Sequence, residues 1–329
     1  MMILGKSKQF LKLKNMLLKV IDNKRNIEKI INGKYPLLYI FFIKLIQIKK
    51  NILSLIRGDF KGYKNIEGKK DYYIKKDSFN FGKRKNGISA FGRLYNSEFF
   101  LEKVVESHIN LFDEIILVDN NSNDKTDKIC KKLQSKYPNI VKYYKYPFEI
   151  YKIGTKKYLD TKENSIHSLS YYYNWTLSKT SYKYVIKLDD DHLVINNNLK
   201  LIIDKIKKNE LKCFLQIPLL NIYRYKNKLC YSYDSLKSSF AGLFGDFGFF
   251  PISEKTYFIK QKKAETIIFP LKIKNYKISL LHLKWLKPTL GLNNYGNKVV
   301  NKLILRLNHK NFKKLSKDYI NILKEYGIK

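Results

Sequence analysis

The stretch YVIKLDDDHLVI, Tyr184 to Ile195, sets three adjacent carboxylates directly behind an apolar run. Tyr184, Val185, Ile186 and Leu188 read as a strand buried in a sheet, so Asp189, Asp190 and Asp191 fall where that strand emerges at its carboxyl end. In sheets of parallel strands that edge is where ligands bind. Adjacent like charges repel one another and resist burial, so a cation, a hydrogen-bond network or solvent has to face them. Alternate residues of an extended segment point the same way, which lets Asp189 and Asp191 converge on one hard divalent cation. Taken alone, an acidic run at a strand end serves equally well as a turn or a helix cap.

Upstream the pattern repeats. NGISAFGRLYNSE (Asn86 to Glu98) reads as a strand ending in a polar turn, and FFLEKVVESHINLF (Phe99 to Phe112) has helical apolar spacing. DEIILVDNNSNDKT (Asp113 to Thr126) runs apolar from Ile115 to Val118 and closes in a polar loop before a helical KTDKICKKLQSKY. NIVKYYKYPFEI supplies a third strand, and ENSIHSLSYYYNWTLSK (residues 163–179) a helix leading into the acidic strand. This order predicts an α/β fold with a mostly parallel, Rossmann-like sheet flanked by helices. Downstream, NNLKLIIDKIKK reads as a helix, CFLQIPLLNIYRY as a strand, SFAGLFGDFGFFPIS as a loop, and the basic C-terminus as helical. Three polar strand ends then share one edge: Arg93, Asn96 and Glu98; Asp119 and Asn120, able to hydrogen-bond a base or ribose; and the aspartates. One nucleotide site accounts for them more economically than three separate turns.

The chain of 329 residues carries 65 Lys and Arg against 28 Asp and Glu, a net charge of +37. Such a balance draws a protein toward polyanions, whether nucleic acid, an acidic membrane face or phosphorylated substrates. Cys130, Cys213 and Cys230 form no CxxC pair, which disfavours a disulfide framework or a zinc knuckle and fits a reducing cytosol. Residues 1–60 alternate apolar clusters with lysines, as basic amphipathic helices do, and either pack on the main domain or lie on a membrane surface. The most apolar segment there, Tyr35 to Ile48, is broken by Lys44 and is shorter than the ~20 residues of a spanning helix. No cleavable signal pattern is read.

RLYNSE, EIILVDNNSND and YVIKLDDDH, in that order, resemble metal-dependent nucleotide-sugar glycosyltransferases of the GT-A fold, whose carboxylate cluster is the DxD motif. KYPFEI (Lys145 to Ile150), Glu163–Asn164 and YYYNW (Tyr171 to Trp175) ahead of KLDDDH are similar to bacterial β-1,4-N-acetylgalactosaminyltransferases that extend lipo-oligosaccharide outer cores. The resemblance implies a GT-A domain over residues 61–290, a basic helical extension at 1–60 and basic helices at 291–329. It makes Asp189 and Asp191 contacts to Mn²⁺ or Mg²⁺, to the diphosphate and to the donor ribose, with Asp190 also in the nucleotide-sugar site. Asp119 and Asn120 then face the nucleotide, Arg93 and Asn96 stand at the pocket rim, and Asn174 reaches in from the preceding helix. His282, in SLLHLKWLKP, completes the metal shell, with Lys284 near the phosphates, while His192 pairs with a neighbouring acid. For the base of an inverting displacement two carboxylates compete: Asp246, beside glycine in FAGLFGDFGFF, and Glu265, among lysines in KKAETIIF.

The implied reaction moves a sugar, GalNAc among the candidates, from a UDP-sugar to a lipo-oligosaccharide, lipopolysaccharide or capsule acceptor. It is expected at the cytoplasmic face of the membrane, peripherally bound to anionic lipid through helices at both ends, Val299 to Leu307 among them. Two other readings compete. A nucleic-acid binder is favoured by the charge and by 26 Tyr and 20 Phe, but no finger or helix-turn-helix signature accompanies them. A sugar-phosphate nucleotidyltransferase would want a glycine-rich loop after the first strand, and SAFGRLYNS offers none.

Overall fold

The computed structural model describes residues 36–195, 198–208, 211–217, 219–232, 248–262, 264–275, 279–288, 296 and 312–328. The chain divides into two compact units, Met1–Ile48 and Lys49–Lys329. The first described element, α1 (Pro36–Arg57), contains no acidic residue. Short 3-10 turns follow through Lys83, and then the sheet begins.

β1 (Lys85–Leu94), α2 (Leu101–His108), β2 (Glu114–Asp119), α3 (Thr126–Lys136) and β3 (Val141–Lys145) alternate as the sequence predicts. α4 (Lys156–Asp160) and α5 (Leu169–Ser178) lead to β4 (Tyr182–Lys187), which pairs in parallel with β1. β1 also pairs in parallel with β2, and β2 with β3. All six residues of β2 are buried, because helices and further strands cover both faces of the sheet. Alternation sorts the side chains: Ala90, Ile115, Leu117 and Ile186 join the layer under α2 and α3. Phe91, Ile116, Val118 and Val185 join the aromatic layer with Tyr146, Tyr172, Tyr173 and Trp175.

Beyond β4 come β5 (His192–Val194), α6 (Asn198–Lys208), β6 (Cys213–Gln216), β7 (Leu219–Tyr225) and β8 (Lys228–Ser232). β9 (Gly248–Pro251), β10 (Tyr257–Gln261), β11 (Ala264–Ile268), β12 (Lys272–Asn275) and β13 (Leu280–His282) follow. The central sheet has the order β12-β6-β9-β4-β1-β2-β3, parallel except at β9. A second sheet, β14-β8-β7-β13-β5, ends on β14 (Phe312–Lys314), and β10 and β11 form a hairpin. The architecture is therefore mixed α/β with a mostly parallel central sheet flanked by helices.

Three expectations change. The FGFFPIS part of the expected loop is a central strand: Phe249 and Phe250 of β9 are fully buried between β4 and β6. CFLQIPLLNIYRY is two strands in two different sheets, with Ile217 between them. The C-terminal segment includes strand β14 before α7 (Lys317–Glu325), while Val299 to Leu307 lies outside the described residues.

Gly248 explains how β9 fits. A Cβ there would stand 2.5 Å from the Leu215 carbonyl oxygen and 2.7 Å from the Phe214 ring, so only a hydrogen allows β9 to approach β6. Gly248→Ala is expected to destabilise the fold by about 1–3 kcal/mol, the usual range for overpacking, read as a lower thermal midpoint. An unchanged midpoint would remove this account of the glycine.

Candidate active site

β4 ends at Lys187, and the aspartates occupy a turn before β5 rather than an extended run. The turn is pinned by Leu188 N–H to Phe91 O at 2.9 Å and by Leu283 N–H to Asp191 O at 2.8 Å. Asp189 and Asp191 still converge, now on His192, whose Nε2 lies 3.7 and 3.8 Å from them. Lys187 Nζ is 3.2 Å from Asp189, and Lys287 Nζ is 2.7 Å from both Asp190 Oδ1 and Asp191 Oδ2. Burial pushes all three carboxyls upward. For Asp191 the charge of Lys287 and the adjacent His282 ring outweigh burial and hold it well below the ordinary range; Lys187 and His192 lower Asp189. Asp190 stays raised, because burial and Asp191 outweigh Lys287 and the Ser97 hydroxyl.

The histidines arrive through the second sheet. β13 pairs with β5 on one side and β7 on the other, so His192, His282 and Asn221 form a cross-strand row. His282 Nδ1 donates to Asn221 Oδ1 at 2.5 Å, which turns its Nε2 toward Asp191 Oδ1, 3.4 Å away. Asp191 Oδ1 is buried and accepts no hydrogen bond, so the imidazole and this oxygen face one another across a gap that a cation would fill. Burial lowers the His192 pKa to about 3 despite Asp189, which keeps that ring neutral. Ligand atoms of Asp191, His192 and His282 all lie within 4.8 Å of one another. Two imidazoles, a carboxylate held well below its ordinary pKa and an amide orienting one ring make a donor set that fits a divalent cation.

Arg93 packs beneath the turn instead of standing at a rim. Its guanidinium carbon lies 3.6 Å from the Tyr173 ring centroid, and Nη2 donates to the Tyr173 hydroxyl at 2.5 Å. Burial opposes its charge, but Tyr173, Glu265, Tyr172 and Asp189 hold the guanidinium above its usual value. Glu265 of β11 therefore acts on Arg93, in addition to facing Lys260 across the hairpin. Lys284 is half-buried, and desolvation lowers its ammonium pKa, with Asp191 and Asp189 acting in opposition.

The two remaining polar strand ends tie to each other. Asn96 adopts a left-handed backbone (φ 51°), donates its N–H to Ser122 Oγ and accepts from Asn123 N–H. Ser97 N–H reaches Thr126 Oγ1, Glu98 N–H reaches Asp124, and Glu98 in turn accepts from Lys125 N–H. Asp119 Oδ1 accepts from Ser122, and Asn120 Nδ2 donates to the carbonyls of Tyr146 and Phe148. The polar residues of RLYNSE and VDNNSND thus hold two loops in register. Between these loops and residues 148–157 lies a cavity of about 350 Å³ lined by Tyr95, Asn120, Asn121, Phe148, Tyr151 and Lys157.

Asn174 is engaged within the fold. Its Nδ2 donates to Phe258 O and its Oδ1 accepts from Phe258 N–H, each at 2.8 Å, so the amide ties α5 to β10. Asp246 lies outside the described residues. The strand that begins two residues later runs antiparallel to β4 and starts at the edge carrying the aspartates, since Phe249 faces Ile186 and Pro251 faces Tyr184. Lys287, Asn221, Lys187 and Tyr173 escaped the sequence reading. For Lys287 a signal existed: Lys284 and Lys287 are three apart across a 3-10 turn, a spacing that puts both on the side of His282.

Such an edge, with carboxylates, imidazoles and lysines converging after β4 of a mostly parallel sheet, is what the sequence resemblance implied. Residues 94–149 match the model of glycosyl transferase family 2. That match covers β1's last residue, the tied loops, β2, β3 and the part of the cavity wall formed by Tyr95, Asn120, Asn121, Phe148 and Glu149. Minor teichoic acid biosynthesis protein GgaB of Bacillus subtilis (strain 168) is 30% identical over 149 residues, which make up 43% of this chain and 14% of that protein. Among solved structures, TarS residues 1–349 of S. aureus align at 14% identity and a TM-score of 0.39, over 73% of this chain and 72% of that one. The mannosyltransferase PcManGT of Pyrobaculum calidifontis, solved with GDP-mannose and Mn²⁺, gives 13%, 0.30, 54% and 45% for the same quantities. The family match and the curated relative support a glycosyltransferase.

Proposed function

We propose that this protein is a metal-dependent glycosyltransferase that moves a sugar from a UDP-sugar to a cell-surface glycan.

 The observation that carries the reading is the Asp191–His192–His282 cluster beside Lys287, at the carboxyl end of β4. A divalent cation there, Mn²⁺ or Mg²⁺, stabilises the negative charge that develops on the departing diphosphate. Asp191 and His282 would hold it, with Asp189 and His192 adjacent, while Lys284 and Lys287 supply positive charge toward the phosphates. The cavity between Tyr95, Asn121 and Tyr151 has the size and mixed lining suited to a nucleoside; Asn120 lines it, and Asp119 holds the neighbouring loop through Ser122. A panel of UDP-sugars, each assayed with and without EDTA, tests the reading; transfer that is indifferent to EDTA for every donor would overturn it.

The acceptor we infer is an anionic surface glycopolymer, of the lipo-oligosaccharide, capsule or teichoic acid kind. A net charge of +37 favours a phosphate-bearing chain, and the relative named for teichoic acid synthesis points the same way. GalNAc is the donor sugar that the lipo-oligosaccharide resemblance suggests. The base we assign is Asp246, with Glu265 as its competitor.

No helix among the described residues is long and apolar enough to cross a membrane. On α1, however, Ile48, Ile52, Leu55 and Ile56 are 51–84% exposed and recur along one face, in a helix with four basic residues and no acidic one. We infer that this stripe rests on anionic lipid, each nearby Lys or Arg contributing ~1 kcal/mol. Flotation with phosphatidylglycerol-containing vesicles is expected to exceed flotation with phosphatidylcholine alone, and Leu55→Glu with Ile56→Glu is expected to abolish the difference. Equal flotation with both vesicles would sink the idea.

A further inference from the structure

Lys287 holds a position that the proposed chemistry does not by itself require. Its ammonium bridges Asp190 Oδ1 and Asp191 Oδ2 at 2.7 Å each, in a side chain only 9% exposed. Asp191 is thereby divided: Oδ2 is held by Lys287, whereas Oδ1 faces the imidazoles of His282 and His192 at 3.4 and 3.8 Å. The charges of the turn are already compensated, since Lys187 sits 3.2 Å from Asp189 and both Arg93 and Lys284 lie close enough to act on the aspartates.

Adding a dication to this balanced cluster leaves an excess of positive charge in a largely buried site, which is unfavourable at short range. A nucleoside diphosphate brings the negative charge that restores the balance and gives a displaced ammonium somewhere to go. We propose that Lys287 is a resident counter-cation that competes with the divalent ion for Asp191, so that metal binding depends on the nucleotide diphosphate. The proposal rests on the reading of this edge as the donor site. By linkage, the factor by which UDP tightens the metal is also the factor by which the metal tightens UDP.

The experiment measures free Mn²⁺ by electron paramagnetic resonance during titration of the full chain, with and without UDP. For the wild type, UDP is expected to tighten Mn²⁺ binding about tenfold or more. Lys287→Met is expected to bind Mn²⁺ alone about tenfold more tightly than the wild type, with a correspondingly smaller gain from UDP, and Lys287→Arg to behave as the wild type. A purely structural role predicts the opposite sign, because a disturbed site loses affinity. Should Lys287→Met not fold, Lys287→Gln, which keeps a donor between the carboxylates, is read by the same titration. A folded Lys287→Met or Lys287→Gln variant that binds Mn²⁺ alone no more tightly than the wild type overturns the proposal, as does a wild type whose Mn²⁺ affinity ignores bound UDP. If UDP binds neither with nor without Mn²⁺, the donor-site reading fails instead; the titration with Mn²⁺ alone still decides whether Lys287 competes for the ion.

Discussion

Asp191→Ala is expected to lower sugar transfer by about three orders of magnitude or more, and Asp189→Ala to abolish it comparably. Lewis-acid stabilisation of a leaving group is worth several kcal/mol, and each ~1.4 kcal/mol is a factor of ten in rate. Asp191 offers the oxygen that faces both imidazoles, so its loss removes the one anionic member of the donor set. The fold is expected to persist, because the aspartates lie in a turn between β4 and β5 and outside the two apolar layers. Initial rates with the preferred UDP-sugar, alongside a thermal melt, make the check. An Asp191→Ala enzyme that folds and turns over normally would end the metal assignment.

Asp246→Asn is expected to slow transfer by about 10²–10⁴, the usual weight of a general base, while leaving donor binding intact. Two features favour Asp246 over Glu265. The chain after it enters β9 at the very edge where β4 delivers the aspartates, and glycine beside it lets the backbone approach a substrate closely. Glu265, by contrast, is engaged with the charge of Arg93. Donor hydrolysis and acceptor transfer, measured separately for Asp246→Asn and Glu265→Gln, discriminate between them. Normal transfer by Asp246→Asn together with loss in Glu265→Gln would move the role to Glu265.

The half of the sheet from β3 to β4 was legible because each element there is local. Apolar runs such as Ile115 to Val118 need only their own sequence to announce a buried strand, and the helices between them follow 3.6-residue spacing. β9 was not legible, because Gly, Phe and Pro in FGFFPIS carry loop signals, and only the approach of Leu215 explains why a glycine suits a strand there. The site divides in the same way. The aspartates and His282 stood out by residue type. The division of labour around them did not, because Asn221, Lys287 and Tyr173 meet their partners in the site across 14 to 97 residues of sequence, through strand pairing and packing. Asn96, Asp119 and Asn120 were selected for their polarity, and that polarity is largely spent on binding one loop to another.

The insertion of β9 between β4 and β6 also has a bearing on synthesis. As the chain leaves the ribosome, β1 to β4 can assemble as soon as residue 187 has emerged, yet the β4 edge stays open until residues 248–251 arrive. An uncovered apolar edge strand is a template for unwanted pairing, and nascent chains are most vulnerable while such edges wait. The lysines that crowd this protein would then have a use before any substrate is met: mutual repulsion between unfinished chains keeps those edges apart until the sheet is closed.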